Sequence, residues 1–231
     1  MPDQITENLD NLRSQIAAVC HRCGRDPREI TVLAVTKTFP AEIIRRSIAA
    51  GLLEIGESRV QEAEAKFTEV GHIGRYHLIG HLQSNKVKKA VQFFDVIQSV
   101  DSVELARAIS RRSGEAGRTI ECLVEVNSSG EDQKYGVPPE RTSGLISDIR
   151  QLSSLELRGV MTVGPLTEDD DLVRAAFRVC RKIFDEARTT MGERFSILSM
   201  GMSSDFQAAI EEGSTMIRIG TGLFGARTTR P

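Results

Sequence analysis

The sequence predicts an α/β fold: a (β/α)8 TIM barrel preceded by an extra helix. One domain is expected over residues 1–231, with the helix at about 3–22 and the barrel at about 30–227. Three observations predict it. Eight short apolar runs recur, each roughly 25 residues from the next, with helical patterns between them,. Such alternation requires right-handed crossovers and a parallel sheet, and eight repeats in roughly 200–250 residues match a barrel. An open doubly wound sheet is the second choice. It lacks its glycines here, because the first strand runs into Thr36-Lys37-Thr38-Phe39-Pro40,. No linker, low-complexity stretch or composition shift divides the chain.

The elements follow in order. Ile5, Leu9, Leu12, Ile16 and Val19 recur at helical spacing over 3–21, and Gly24 stops that helix,. Residues 30–35 form an apolar, β-branched run of the kind buried on both faces of a parallel sheet,. A helix over 40–50 has Pro40 near its first position and Gly51 at its end,. A strand over 52–55, a helix over 58–70, a strand over 76–79 and a basic helix over 84–93 come next. Then follow a strand over 96–100 and a helix over 102–115, capped by Asp101 or Ser102,. The strand over 120–126 alternates Cys122, Val124 and Val126 against Leu123 and Glu125. A helix over 139–152 and a strand over 157–163 lead to the clearest helix, 172–187. There Leu172, Val173, Ala176, Phe177, Cys180, Ile183, Phe184 and Ala187 make one wide apolar stripe,. The acidic run 168–171 complements that helix's dipole and lacks the ligand-spaced loop of a calcium site,. A strand over 196–200, a helix over 206–212 and a strand over 215–219 complete the series.

Composition excludes several classes. A 40% hydrophobic fraction supplies a sizeable core, and 30 Lys+Arg against 32 Asp+Glu lacks the basic footprint of a dedicated nucleic-acid binder,. No apolar run approaches membrane-spanning length, and the acidic residues 1–13 resemble neither a signal nor a transit peptide,. The expectation is a cytoplasmic protein with no nucleic-acid or membrane partner. Cys20, Cys23, Cys122 and Cys180 read as free thiols,. Cys20 and Cys23 form a C-x-x-C with no second ligand pair and no preceding strand, so zinc and thioredoxin chemistry are set aside,. No metal site is expected from His72, His77 and His81 either,.

In such barrels the chemistry lies at the C-terminal ends of the strands, and here polar and glycine residues gather at those ends. Lys37 follows the first strand. A buried stem there aims its amine into the barrel mouth, where desolvation favours the neutral form that condenses with carbonyls; the alternative is a lysine snorkelling to solvent,. Ser203 and Ser204 begin a helix, and Gly220, Thr221 and Gly222 open the backbone, which together read as a phosphate cradle,. Ordinary helix capping and a glycine turn are the alternative there. A carbonyl-trapping lysine opposite a phosphate cradle points to pyridoxal 5′-phosphate. Arg218, if it faces the pyridine nitrogen, can only donate to it, which disfavours ring protonation,. A structural ion pair is the other reading of Arg218.

Six segments then carry a family resemblance. They are Ala34-Val35-Thr36-Lys37, Gly56-Glu57-Ser58-Arg59-Val60-Gln61-Glu62 and His77-Leu78-Ile79-Gly80-His81-Leu82-Gln83-Ser84-Asn85-Lys86. Next come Arg158-Gly159-Val160-Met161-Thr162-Val163-Gly164-Pro165, Leu198-Ser199-Met200-Gly201-Met202-Ser203-Ser204-Asp205-Phe206 and Arg218-Ile219-Gly220-Thr221-Gly222-Leu223-Phe224-Gly225. In this order they resemble the pyridoxal phosphate homeostasis proteins, the YggS/PROSC family, which are similar to the barrel domain of alanine racemase without its second domain. The resemblance implies a fold-type III barrel for pyridoxal phosphate, with Lys37 as its Schiff-base lysine and Arg218 facing the pyridine nitrogen. It implies Ser203, Ser204, Gly220 and Thr221 at the phosphate, and Ser58, His81 and Met200 bordering the cofactor. Ser58 departs from the Asn usual in the family's Gly-Glu-Asn motif and offers no amide. Lys134 corresponds to a recurrent loop lysine, a secondary aldehyde acceptor or a solvated side chain.

The function implied is the holding, buffering or delivery of pyridoxal phosphate in vitamin B6 homeostasis, with transient contact to cofactor-dependent apoenzymes and without substantial catalysis. The small basic patch of Lys86, Lys88 and Lys89 is a solvated face or a dock for an acidic partner,. A monomer is expected, since the racemase dimer relies on the domain that 231 residues leave no room for. The alternatives are a racemase-like enzyme using Lys37 with Tyr135 or a histidine, and a Schiff-base aldolase acting on a phosphosugar.

Overall fold

A computed structural model describes residues 4–131 and 133–225. Residue 3 of the expected first helix and residues 226–227 of the expected barrel lie outside them. Eight parallel strands close into a barrel in sequence order: β1 Thr31–Val35, β2 Glu54–Glu57, β3 Arg75–Leu78, β4 Val96–Val100, β5 Ile120–Glu125, β6 Leu155–Met161, β7 Ile197–Ser199 and β8 Met216–Ile219. The (β/α)8 expectation therefore holds. Closure comes from β1 and β8, with Thr31 opposite Met216 and Ala34 opposite Ile219, so Lys37 and Gly220 leave adjacent strands at the same end. The strands are apolar on both faces because one side fills the lumen and the other meets the helices. Val96, Ile97 and Val100, like Leu123 and Val124, are wholly buried.

The helices are α1 Gln4–Cys23, α2 Glu42–Ala49, α3 Val60–Val70, α4 Val87–Phe93, α5 Val103–Glu115, α6 Pro139–Ile149, α7 Asp170–Met191, α8 Phe206–Glu211 and α9 Thr221–Phe224. Helix α1 buries its predicted stripe, Ile5, Leu9, Leu12, Ile16 and Val19, and ends before Gly24, whose φ of +69° suits glycine,. It packs against α8 and α9, and its Arg13 reaches the end of α2 at Gly51. Thus α1 fills the place in the helical ring between α8 and α2, beside the β8–β1 seam. Arg25 ties this corner by donating from Nη1 to the carbonyls of Ile210 and Ser214, both at 2.8 Å.

Several boundaries differ from expectation. Strand β2 starts two residues late because Leu52 tucks into the core as Leu53 turns to solvent, 58% exposed. The basic helix splits into a 3-10 turn, Ser84–Lys86, and α4. Ser102 caps α5 as expected, accepting from Leu105 N at 3.3 Å. Asp169 caps α7 by accepting from Asp171 N and Leu172 N,. Helix α8 begins at Phe206, so Ser203 and Ser204 lie in the turn before it and do not start it. The turn is folded by Asp205, whose Oδ1 accepts from Met202 N at 2.5 Å. Among the described residues no helix is long and apolar enough to cross a membrane.

Candidate functional site

At the C-terminal end of the β8–β1 seam lies a cavity of about 250 Å³, lined by Val35, Lys37, Ile79, Met202, Ser203, Ser204, Arg218, Gly220 and Thr221. Chain geometry brings these together. Lys37 sits two residues beyond β1, half-buried, at the mouth. The next residue, Thr38, has φ +68°, a costly conformation for a β-branched residue,. It is held there by Glu62, whose carboxylate accepts the Thr38 N–H at 2.5 Å.

A buried ion network supports that turn from below. Lys66, on α3, donates to Thr36 O at 2.8 Å, Glu57 Oε1 at 2.7 Å and Glu62 Oε1 at 2.6 Å. Thr36 Oγ1 donates to the same Glu57 oxygen at 2.7 Å. Glu57 is wholly buried, and its Oε2 has no partner among the described residues. Burial pushes its carboxyl above the ordinary value, against the pull of Lys66 and Thr36,. The sequence carried one signal of this network, the i,i+4 spacing of Glu62 and Lys66,. That spacing usually marks a solvated helix face, so the burial was not readable.

On the adjacent strand β8, in register with Leu33, stands Arg218, only 4% exposed. Its Nη1 donates to Ser199 O at 2.8 Å and Ser199 Oγ at 2.9 Å, and its Nη2 to Thr162 O at 2.8 Å. These use three of the five guanidinium N–H groups and leave two on a residue that lines the cavity,. Burial lowers the Arg218 pKa, while Asp205 and Glu125 act to raise it. Glu125, at the end of β5, is pushed up to about 7 by burial first and by Asp101 second, with Arg218 pulling it down. Its Oε2 has no hydrogen-bond partner among the described residues.

The expected phosphate cradle assembles. Ser203 Oγ accepts from Gly222 N at 3.3 Å, which brings the serine turn and the Gly220–Gly222 backbone side by side. A side chain at Gly222 would lie 3.1 Å from the Ile219 side chain and 3.5 Å from Ser203 Oγ, a tight fit that glycine relieves. Hydroxyls and amide N–H groups grouped beside a lysine and an arginine suit an anionic ligand that carries a carbonyl.

Three of the expected residues lie off the cavity wall. Met200 is wholly buried in the apolar core, and Met202, two residues on, reaches the wall instead. Ser58 is half-buried, and its carbonyl packs against Gly80, where a Cβ would come within 2.4 Å. His81 stacks on Tyr135 with ring centroids 4.0 Å apart, and its Nδ1 lies 3.6 Å from Asp101 Oδ2. Lys134 bonds to Gly164 O at 2.8 Å and pairs with Glu131 at 2.6 Å. It lines a larger neighbouring cleft of about 610 Å³ that shares Ser203 and Ser204 with the small cavity.

Residues 8–228 match the family described as "Alanine racemase, N-terminal domain". The pyridoxal phosphate homeostasis protein of Aquifex aeolicus is 39% identical over 222 residues, spanning 96% of this chain and 97% of that protein. The chain belongs to the pyridoxal phosphate homeostasis protein family. The family expected from the six motifs is thus the one found. PipY of Synechococcus elongatus, solved with PLP bound, matches with a TM-score of 0.83 and 38% identity over 96% of this chain and all of that one (100%). Alanine racemase of Clostridium difficile shares the barrel at a TM-score of 0.79 and 16% identity; 97% of this chain corresponds to 57% of that one.

Proposed function

We propose that this member of the pyridoxal phosphate homeostasis family binds pyridoxal 5′-phosphate in the seam cavity, holds its aldehyde carbon on Lys37 as a Schiff base, and buffers or delivers the cofactor to dependent apoenzymes. It works as a cytoplasmic monomer without substantial turnover of its own. The observation that carries the reading is the convergence of Lys37, Arg218, the two serines and the Gly220-Thr221 backbone on one small cavity.

When bound, the cofactor supplies an electrophilic aldehyde and an electron-withdrawing ring. The chain supplies the rest. Lys37 provides the amine, and the Glu57–Lys66–Glu62 network fixes the turn that presents it. Ser203 and Ser204 hydroxyls, with the amides of Gly220 and Thr221, meet the phosphate. Arg218 would be the group at the ring nitrogen; a guanidinium only donates, so it would favour an unprotonated nitrogen and a weaker electron sink. At about 250 Å³ the cavity lies just below the usual range of ligand pockets, roughly 300–1,000 Å³,.

The test is an absorption spectrum of purified protein with added pyridoxal phosphate, beside Lys37→Ala. The expected result is a yellow band in the wild type that the substitution abolishes. A wild type that stays colourless refutes the reading. The enzyme alternative draws on the His81–Tyr135 stack as a proton-transfer group. Amino-acid racemisation that Lys37→Ala abolishes would replace the carrier reading with that one.

A further inference from the structure

Four hydrogen bonds run in series through the barrel's interior, from Arg218 to the opposite end. Arg218 Nη1 donates to Ser199 Oγ at 2.9 Å, and Ser199 Oγ donates to Gln98 Oε1 at 2.7 Å. Gln98 Nε2 donates to His77 Nδ1 at 2.9 Å, and His77 Nε2 closes on Glu54 Oε2. Arg218, Ser199, Gln98 and His77 are all buried. They come from β8, β7, β4 and β3, and Glu54 opens β2 at the N-terminal end of the barrel. Strands β4 and β7 are not neighbours in the ring, so the Ser199–Gln98 bond crosses the lumen. Gln98 also reaches across to Met216 Sδ on β8, at 3.3 Å.

The direction of the series starts from its first member. A guanidinium has no acceptor, so the Ser199 oxygen accepts from Arg218, and the Ser199 hydroxyl donates to Gln98 Oε1,. Gln98 must then present its carbonyl oxygen to Ser199 and its NH₂ to His77. His77 Nδ1 is therefore bare, the ring is the neutral Nε2–H tautomer, and Glu54 accepts as a carboxylate. Every bond points the same way, with a fixed positive charge at one end and a negative one at the other. Glu54 is in turn seated by Arg75, at 3.5 Å, which also pairs with Glu121.

We propose that Ser199, Gln98 and His77 are positioning residues: they fix which guanidinium edge Arg218 turns to the cavity and join it, through aligned dipoles, to Glu54. The proposal rests on the reading of Arg218 as the group that faces the ring of pyridoxal phosphate. None of these three residues, nor Glu54, lines the cavity, so they act only through Arg218. A core needing only bulk at these positions would be served by apolar side chains. A directed series also holds the arginine in one orientation.

Two measurements test it. Without cofactor, nitrogen NMR of His77 is expected to show a protonated Nε2 and a bare Nδ1 at neutral pH. An imidazolium or the opposite tautomer overturns the relay. With pyridoxal phosphate, Ser199→Ala and Gln98→Met are expected to move the absorption maximum of the lysine-bound cofactor and its pH dependence, and to weaken affinity about tenfold. Glu54→Gln keeps an oxygen for the His77 N–H and is expected to retain the wild-type spectrum, whereas Glu54→Ala is not. If Gln98→Met does not fold, the two Glu54 variants decide. Wild-type spectra and affinities in folded Ser199→Ala and Glu54→Ala overturn the proposal. A wild type that takes up no cofactor refutes the site reading and the relay's purpose together, and the tautomer measurement tells that outcome from a failed relay.

Discussion

Replacing Lys66 by Met tests the support beneath the lysine turn. The substitution keeps the length of the side chain and removes its ammonium. Three bonds go with it: to Thr36 O at 2.8 Å, Glu57 at 2.7 Å and Glu62 at 2.6 Å. Glu62 is partly exposed and finds water, but Glu57 is wholly buried and keeps only the Thr36 hydroxyl. Breaking a buried pair from one side costs about 3–5 kcal/mol. For a chain of 231 residues each kcal/mol moves the melting temperature by about 2–4 °C, so the expected loss is about 6–20 °C. The loss depends on pH. Burial already holds the Glu57 carboxyl above its ordinary value, and such a group contributes stability below its unfolded pKa and loses it as pH rises through the folded one,. Without Lys66 the folded value climbs further, so the deficit is largest at about pH 8 and shrinks at about pH 5. Adding Glu57→Gln to Lys66→Met removes the stranded charge and is expected to recover most of the loss. Thermal melts followed by far-ultraviolet circular dichroism at both pH values give the answer. A single variant within about 2 °C of wild type at both, or a double variant no better than the single, would refute this account of the network.

Glu125 is pushed up to about 7 from an ordinary 4.5, a difference of about 3 kcal/mol between protonated and ionised forms,. The wild type should lose stability as pH rises through 7, and Glu125→Gln should flatten that slope in melts across the range. Gly159→Ala places a Cβ 1.7 Å from Ile197 O, inside the backbone of β7. Its melting temperature is expected to fall by more than about 10 °C, measured on whatever soluble protein is recovered. Arg25→Met strands the carbonyls of Ile210 and Ser214 and should cost about 2 kcal/mol in denaturant unfolding,.

Much of this was legible in the sequence, for identifiable reasons. Parallel strands buried on both faces are continuous apolar runs, so eight of them announced the barrel. Lys37, Arg218, Ser203, Ser204, Gly220 and Thr221 stand at strand exits, and the structure gathers all of them on one cavity. Met200, which the resemblance set beside the cofactor, lies in the apolar core, because successive side chains along a strand turn to opposite sides,. Ser203 and Ser204 were read as a helix start because serine commonly caps helices; Asp205 folds the turn instead. The buried polar residues were the least readable. His77, Gln98 and Ser199 occupy positions that in most such barrels carry apolar side chains, and their partners lie on strands 21 to 101 residues away. Periodicity reports which face a residue takes, not whom it meets across a closed lumen.

The helix that begins the described chain completes the ring beside its last strand, and Asn8 meets the carbonyl of Leu223 across 215 residues. Synthesis therefore delivers α1 well before the surface it covers. Until β8 pairs with β1, the stripe of Leu9, Leu12, Ile16 and Val19 has no finished neighbour and both terminal strands present open edges,. Closing this seam joins residues 215 apart, and such non-local closure is slow,. A circularly permuted chain in which α1 follows β8 would make that contact local. It should refold faster to the same barrel, because the order in which the elements are joined governs the rate while their packing governs the end state.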